Sequence, residues 1–177
     1  VNILGRQKGA ILWEEIKHNS QLLELSQNPL LLMMVIQVAK LNNGIVPRNK
    51  GLLYKLFNDG IFARESKLYH TDIETKKDVL SYLAFWMRAN GLFKKITRSK
   101  CKYVIESQLK IVNNAVGVNN LIGELIDNRF LKDENDELEF YHETHQEFFV
   151  ALQLKKHFEL NEKFDFDYSD EKWFEPI

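Results

Sequence analysis

The side chains best placed to do chemistry lie in LEFYHETHQEFFVALQL, residues 138–154. His142 and His145 stand three positions apart, with Glu139, Glu143 and Glu147 around them. On a helix, residues at i and i+3 share a face, so two imidazoles and a carboxylate invite a zinc reading. Zinc needs three or four ligands at suitable spacing, and HETHQE is not an HExxH motif. We therefore expect no metal, and read two histidines at a strand–helix junction as an ordinary occurrence.

Two other chemistries are open to inspection. Cys101 sits between Lys100 and Lys102, cations that can lower a thiol pKa, yet its helical setting fits a half-buried packing residue better. Neither a GxSxG nucleophile motif nor a GxxxxGK[ST] phosphate loop occurs. The span between Asp78 and Glu106 is free of acids and carries Arg88, Lys94, Lys95, Arg98, Lys100 and Lys102. Such a stretch can neutralise phosphates. The helix that would enter a DNA groove, NNLIGELIDNR, sets Glu124 and Asp127 against Arg129 alone, which is poor chemistry beside a phosphate backbone. Nucleic acid is not the expected partner, though a winged-helix DNA-binding regulator and a plain interaction scaffold stand as alternatives.

Composition sets the bounds. The chain has 177 residues, 45% hydrophobic and 28% charged, with a net charge of −1. That is enough apolar matter for one large or two small cores, and no global charge draws it to a polyanion or acidic membrane. The one cysteine excludes an internal disulfide and fits a reducing, cytoplasmic setting. The longest apolar run, PLLLMMVIQVA at 29–39, is shorter than the ~20 residues that span a bilayer. No secretory signal pattern is present. The start at VNILGRQKG, without Met, reads as that of a fragment.

The elements that must position these residues are mostly helical by apolar spacing. Short helices are expected over 9–17 and 20–27, the second capped by Ser20. Asn28-Pro29 begins another, running to about Leu41 and ended by NNG, with Gly44 in a left-handed conformation. Pro47 opens a fourth, with Leu53, Phe57, Ile61 and Phe62 on one stripe. Thr71 or Asp72 caps a fifth, packed by Val79, Leu80, Leu83, Phe85, Trp86 and Met87. Beyond residue 91 come an extended piece over 93–96, a helix from about Ser99 and a second helix. Strands over 130–133 and 138–141 flank the turn DENDE, and a helix follows over 143–158. Helix, helix, hairpin, helix is a winged-helix pattern. The fold class is mainly α, a helical bundle followed by a winged-helix domain with a small β-hairpin. We place a helical domain at 1–91, the winged helix at 92–160, and an acidic linker with interleaved aromatics at 161–177.

Four segments in family order carry a resemblance. FYHETHQEFFVALQL resembles the end of the winged-helix domain in NACHT-type NTPases of the STAND class, with Phe140, His142, Thr144, Gln146, Glu147, Phe148 and Ala151 in register. Val150 replaces an alanine there, and His145 stands where the family usually has Phe. SQNPLLLMMV looks like the family's Asn-Pro-Leu-Leu-Leu segment. GIVPRNKGLLYKLF is similar to its Pro-x-Asn-Arg-x-x-Leu-Tyr, matching at Pro47, Asn49, Leu53 and Tyr54, with Lys50 in place of Arg. EKWFEPI looks like the Trp-containing exit toward a sensor domain. The set spans 28–177.

This resemblance implies part of a nucleotide-dependent switch. ATP or ADP, with Mg²⁺, would be held by an upstream P-loop domain. Pro29 would pack near the adenine, and His142 would reach the β-phosphate and latch the closed, ADP-bound form. A C-terminal sensor domain and an oligomer of the longer parent are the implied partners, and defence or cell-death signalling the implied output. For the 177 residues alone the expectation is no catalysis and no tight cofactor. His145 is expected to pack with one ring face inward, and Gln146 and Glu147 to cap and solvate the last helix if they contact no nucleotide.

Overall fold

The computed structural model describes residues 5–47, 49–65, 71–111 and 117–160. The acidic linker at 161–177, the EKWFEPI motif within it and Arg48 lie outside the described residues. Among those described, eight α-helices and three short strands form two compact units, 1–64 and 65–177. The fold is mainly helical with one small antiparallel sheet.

In the first unit, α1 (Arg6–His18) and α2 (Ser20–Ser26) meet at Asn19. The cap of α2 is this Asn19 and not Ser20: its side-chain oxygen accepts from the Gln21 and Leu22 amides at 3.1 and 3.2 Å. Both residues satisfy the local rule for a cap, but Asn19 holds the extended backbone a cap requires. Helix α3 (Pro29–Leu41) starts as expected, with Asn28 accepting from the Leu30 and Leu31 amides and Pro29 at the first helical position. At its end Asn43 takes the left-handed turn at φ 54°, Gly44 follows at φ 93°, and the Gly44 amide returns to the Ala39 carbonyl at 2.7 Å. That pairing is a Schellman closure.

Helix α4 (Lys50–Glu65) begins after Pro47, because Asn49 caps it by accepting from the Leu52 amide at 3.0 Å. Leu53, Tyr54 and Phe62 are buried, whereas Phe57 and Ile61 are half-buried. Asn58, also buried, donates to the Tyr54 carbonyl at 2.9 Å.

The second unit opens with α5 (Ile73–Ala89), capped by Asp72, which accepts from the Thr75 amide and hydroxyl at 2.8 and 2.7 Å. These bonds hold the Asp72 carboxyl below its usual range, against the cost of its partial burial. Strand β1 (Lys95–Thr97) leads into α6 (Arg98–Ile111), and α7 (Val118–Asp127) follows. Strands β2 (Leu131–Glu134) and β3 (Glu137–Phe140) form the hairpin, and α8 (Glu143–Glu159) closes the chain's described part. The hairpin turns on Asn135 and Asp136, both at positive φ, 56° and 65°. A two-residue turn of that hand suits the right-handed twist of its strands.

Strand order is β1-β3-β2, all antiparallel. The extended piece before α6 is thus a third strand of the sheet, an addition to the expected hairpin that completes the winged-helix topology. Ile96, Leu131, Leu138 and Phe140 are buried beneath it, with Phe130 and Phe149 edge-on at 5.6 Å.

Helix α5 packs chiefly along α8. Ser81 donates to Gln153 at 3.1 Å, Lys156 pairs with Asp78, and the Phe85 and His157 rings lie 5.3 Å apart. The compact units accordingly divide before α5, at 64/65. No single helix among the described residues is long and apolar enough to cross a membrane.

Candidate functional site

The site is the junction of β3 and α8. Phe140 ends the strand with its ring inward, 6.2 Å from Phe149. Two residues later the backbone of His142 is still extended, at φ −146° and ψ 143°, and serves as the N-cap of α8. Its Nδ1 accepts from the Thr144 amide at 3.2 Å and lies 3.0 Å from the Thr144 hydroxyl. The His142 carbonyl receives the His145 amide at 3.0 Å and the Gln146 amide at 3.4 Å. The ring is exposed.

Chemistry follows from the capping bond. A ring nitrogen that accepts an amide hydrogen carries no proton of its own, so the proton of the neutral imidazole resides on Nε2. The exposed ring can then offer one N–H donor to an anion, while Nδ1 holds the helix.

His145, one turn of chain away, is in the opposite situation. It is buried, with its ring edge-on to Phe130 at 5.8 Å. Burial pushes its pKa down to about 4, with the neighbouring His142 as a smaller cause. The two imidazoles therefore do not converge on a common ion, and no group of three or more potential ligands occurs among the described residues. Gln146 is buried too, which overturns its expected place as a solvating residue. Its amide nitrogen has no hydrogen-bond partner among the described residues. Phe149 is fully buried, and Glu147, Phe148 and Leu152 are half-buried.

Pro29 lies in the other compact unit, exposed at the first turn of α3. There its missing N–H costs no helical bond.

Three of the six cations of the acid-free span pair with carboxylates within the fold. Arg98 pairs with Asp133, Lys95 with Glu137 at 3.1 Å, and Lys102 with Glu106 at 4.0 Å. Glu139 is the cross-strand neighbour of both Lys95 and Lys132, and Lys132 pairs with it. That hydrogen bond holds the Glu139 carboxyl below its ordinary range. On α7 the exposed positions are Asn119, Asn120 and Asp127, with no cation among them. A phosphate-lined groove would meet paired lysines and a neutral-to-acidic helix.

Cys101 is fully buried, not half-buried, and burial raises its thiol pKa to about 12 against a weaker lowering by Arg98. A thiol in that state is no nucleophile at neutral pH. Sequence reasoning also missed a buried ion pair, Lys76 to Glu124 at 2.9 Å, with Lys76 donating to Asn128 at 3.2 Å. Polar positions inside a helix give no apolar signal, so only the tertiary contact reveals them.

Compared with models of known protein families and with curated proteins, the chain matches none.

Proposed function

We propose that this chain is the regulatory relay of a NACHT-type, ATP-dependent signalling switch. It would connect an upstream P-loop domain, holding ATP or ADP with Mg²⁺, to a downstream sensor. The observation that carries this is His142: an exposed imidazole at the head of α8, its Nδ1 engaged with the Thr144 amide and its Nε2–H left for an acceptor outside. The ordered motifs around Asn28-Pro29, Asn49, Leu53-Tyr54 and FYHETHQEF support it further. The capping asparagines and the buried Leu53 and Tyr54 give two of those motifs a structural reason.

An imidazole N–H donated to a diphosphate oxygen is a charge-assisted hydrogen bond, worth about 1.5–3 kcal/mol. Made in one domain arrangement and absent in the other, it shifts the balance of the two states by that difference. Signal output in defence or cell death would follow from oligomerisation of the longer parent.

The cap dictates the test. In the parent polypeptide, His142→Asp keeps an acceptor for the Thr144 amide but removes the donor and adds a charge that repels phosphate. Retained ADP, measured after desalting, should fall with His142→Asp while the melting temperature holds. Unchanged retention would reduce His142 to a helix cap. The 177-residue chain alone should show no steady ATP turnover.

A further inference from the structure

Helix α6 buries Cys101, Val104, Ile105 and Leu109 and turns its opposite side to solvent. That outer side carries Lys100, Tyr103, Ser107 and Lys110 at spacings of three and four, which places them in one stripe. Tyr103 is 63% exposed. Lys100 stands over the Tyr103 ring at 5.7 Å and over the half-buried Trp86 of α5 at 5.2 Å. Among the described residues neither Lys100 nor Lys110 pairs with a carboxylate, in contrast to Lys95, Arg98 and Lys102. The one acid of this helix, Glu106, stands one turn before Lys110 and lies 4.0 Å from Lys102. The face is therefore aromatic and cationic in balance, with three lysines of α6 against one carboxylate.

The chain itself contains the complement. Residues 161–177, NEKFDFDYSDEKWFEPI, hold six carboxylates against two lysines, and five aromatic side chains between them. The segment begins where α8 ends, and α8 brings its last turns against α5: His157 packs on Phe85, the chain neighbour of Trp86. At about 3.3–3.6 Å per extended residue, seventeen residues reach some 55 Å. Helix α6, with 14 residues at about 1.5 Å each, is about 20 Å long. Reach is ample.

We propose that the Trp86–Lys100–Tyr103–Lys110 stripe is the docking face for the chain's own acidic, aromatic segment 161–177. Carboxylates would meet Lys100 and Lys110, and aromatic rings would stack on Trp86 and Tyr103, the two rings that Lys100 already stands over. This docking stands independently of the nucleotide switch.

Zero-length carbodiimide coupling on the dilute, monomeric 177-residue chain, followed by peptide mapping, tests it. Lys100 and Lys110 should form amide links to carboxylates of 162–175 about fivefold more than exposed Lys94, since each exposed ion pair shifts occupancy about two- to fivefold. The preference should vanish in about 1 M salt, where screening reaches within about 3 Å. Charge exchange gives the decisive control: Lys100→Glu and Lys110→Glu combined with Asp167→Lys and Asp170→Lys should restore the links with reversed polarity. Equal labelling of Lys94, failure of the exchanged variant, or links confined to covalent dimers would overturn docking within one chain.

Discussion

The Nδ1 atom of His142 lies 3.2 Å from the amide of Thr144 and accepts its hydrogen, so an imidazole heads α8 where Asn or Asp more often would. Removing that acceptor leaves a helix amide unsatisfied. His142→Ala should lower unfolding free energy by about 1 kcal/mol, whereas His142→Asp should stay within a few tenths. Urea denaturation of the two variants at neutral pH measures the difference. Equal destabilisation by both would mean that the cap contributes nothing.

His145 makes stability depend on pH in a definite window. Its native pKa of about 4 lies below the unfolded value of 6.5. Between these values the unfolded chain binds a proton that the native chain refuses, so stability rises with pH there. The contribution is complete above pH 6.5 and is lost as pH falls toward 4, by about 3 kcal/mol in all. His145→Phe keeps an aromatic ring against Phe130 and removes the titration. Its stability gain over the parent chain should grow between neutral pH and pH 4.5, as read from urea midpoints. A constant difference across that range would show that His145 charges freely in the native fold.

Much of this architecture is written locally. Asn28-Pro29, Asp72 and the Asn135-Asp136 turn act through their own few residues of backbone, so spacing and residue type disclose them. Where two residues satisfy one local rule, sequence does not choose: either Ser20 or Asn19 suits the cap of α2, and either Pro47 or Asn49 the start of α4, and the structure uses the asparagine each time. The third strand is legible only as an extended piece over 93–96, because three residues, Lys-Ile-Thr, carry too little alternation to disclose a partner. Its existence depends on β3, some forty residues away. The candidate site divides in the same way. A polar junction at 138–147 is visible in residue types, but the opposite fates of His142 and His145, one solvated and one buried, come from how β3 enters α8.

Cys101 offers a probe of local opening. With the thiol buried and its pKa raised to about 12, thiolate is scarce and shielded. Native protein at pH 8 should react with a disulfide reagent only through transient unfolding, at a rate that follows stability. In denaturant the one thiol should react completely within the mixing time. Immediate stoichiometric labelling of the native chain would place Cys101 in an accessible, activated setting.

Lys76 and Glu124 tie α5 to α7 through a pair that water barely reaches, 2% and 8% exposed, with Nζ 2.9 Å from the carboxylate. Lys76 also donates to Asn128 at 3.2 Å, at the end of α7. Burial of both charges is costly, and their attraction offsets that cost only while both are present. Removing one should therefore hurt far more than removing two. Lys76→Met leaves the buried Glu124 without its cation and should cost about 3–5 kcal/mol. Lys76→Met with Glu124→Leu replaces the pair by packing and should recover most of that loss. Calorimetric melting of the two single variants and the double variant closes the cycle. Additive losses would show that the charges act separately, and that α5 and α7 are held by their apolar contacts alone.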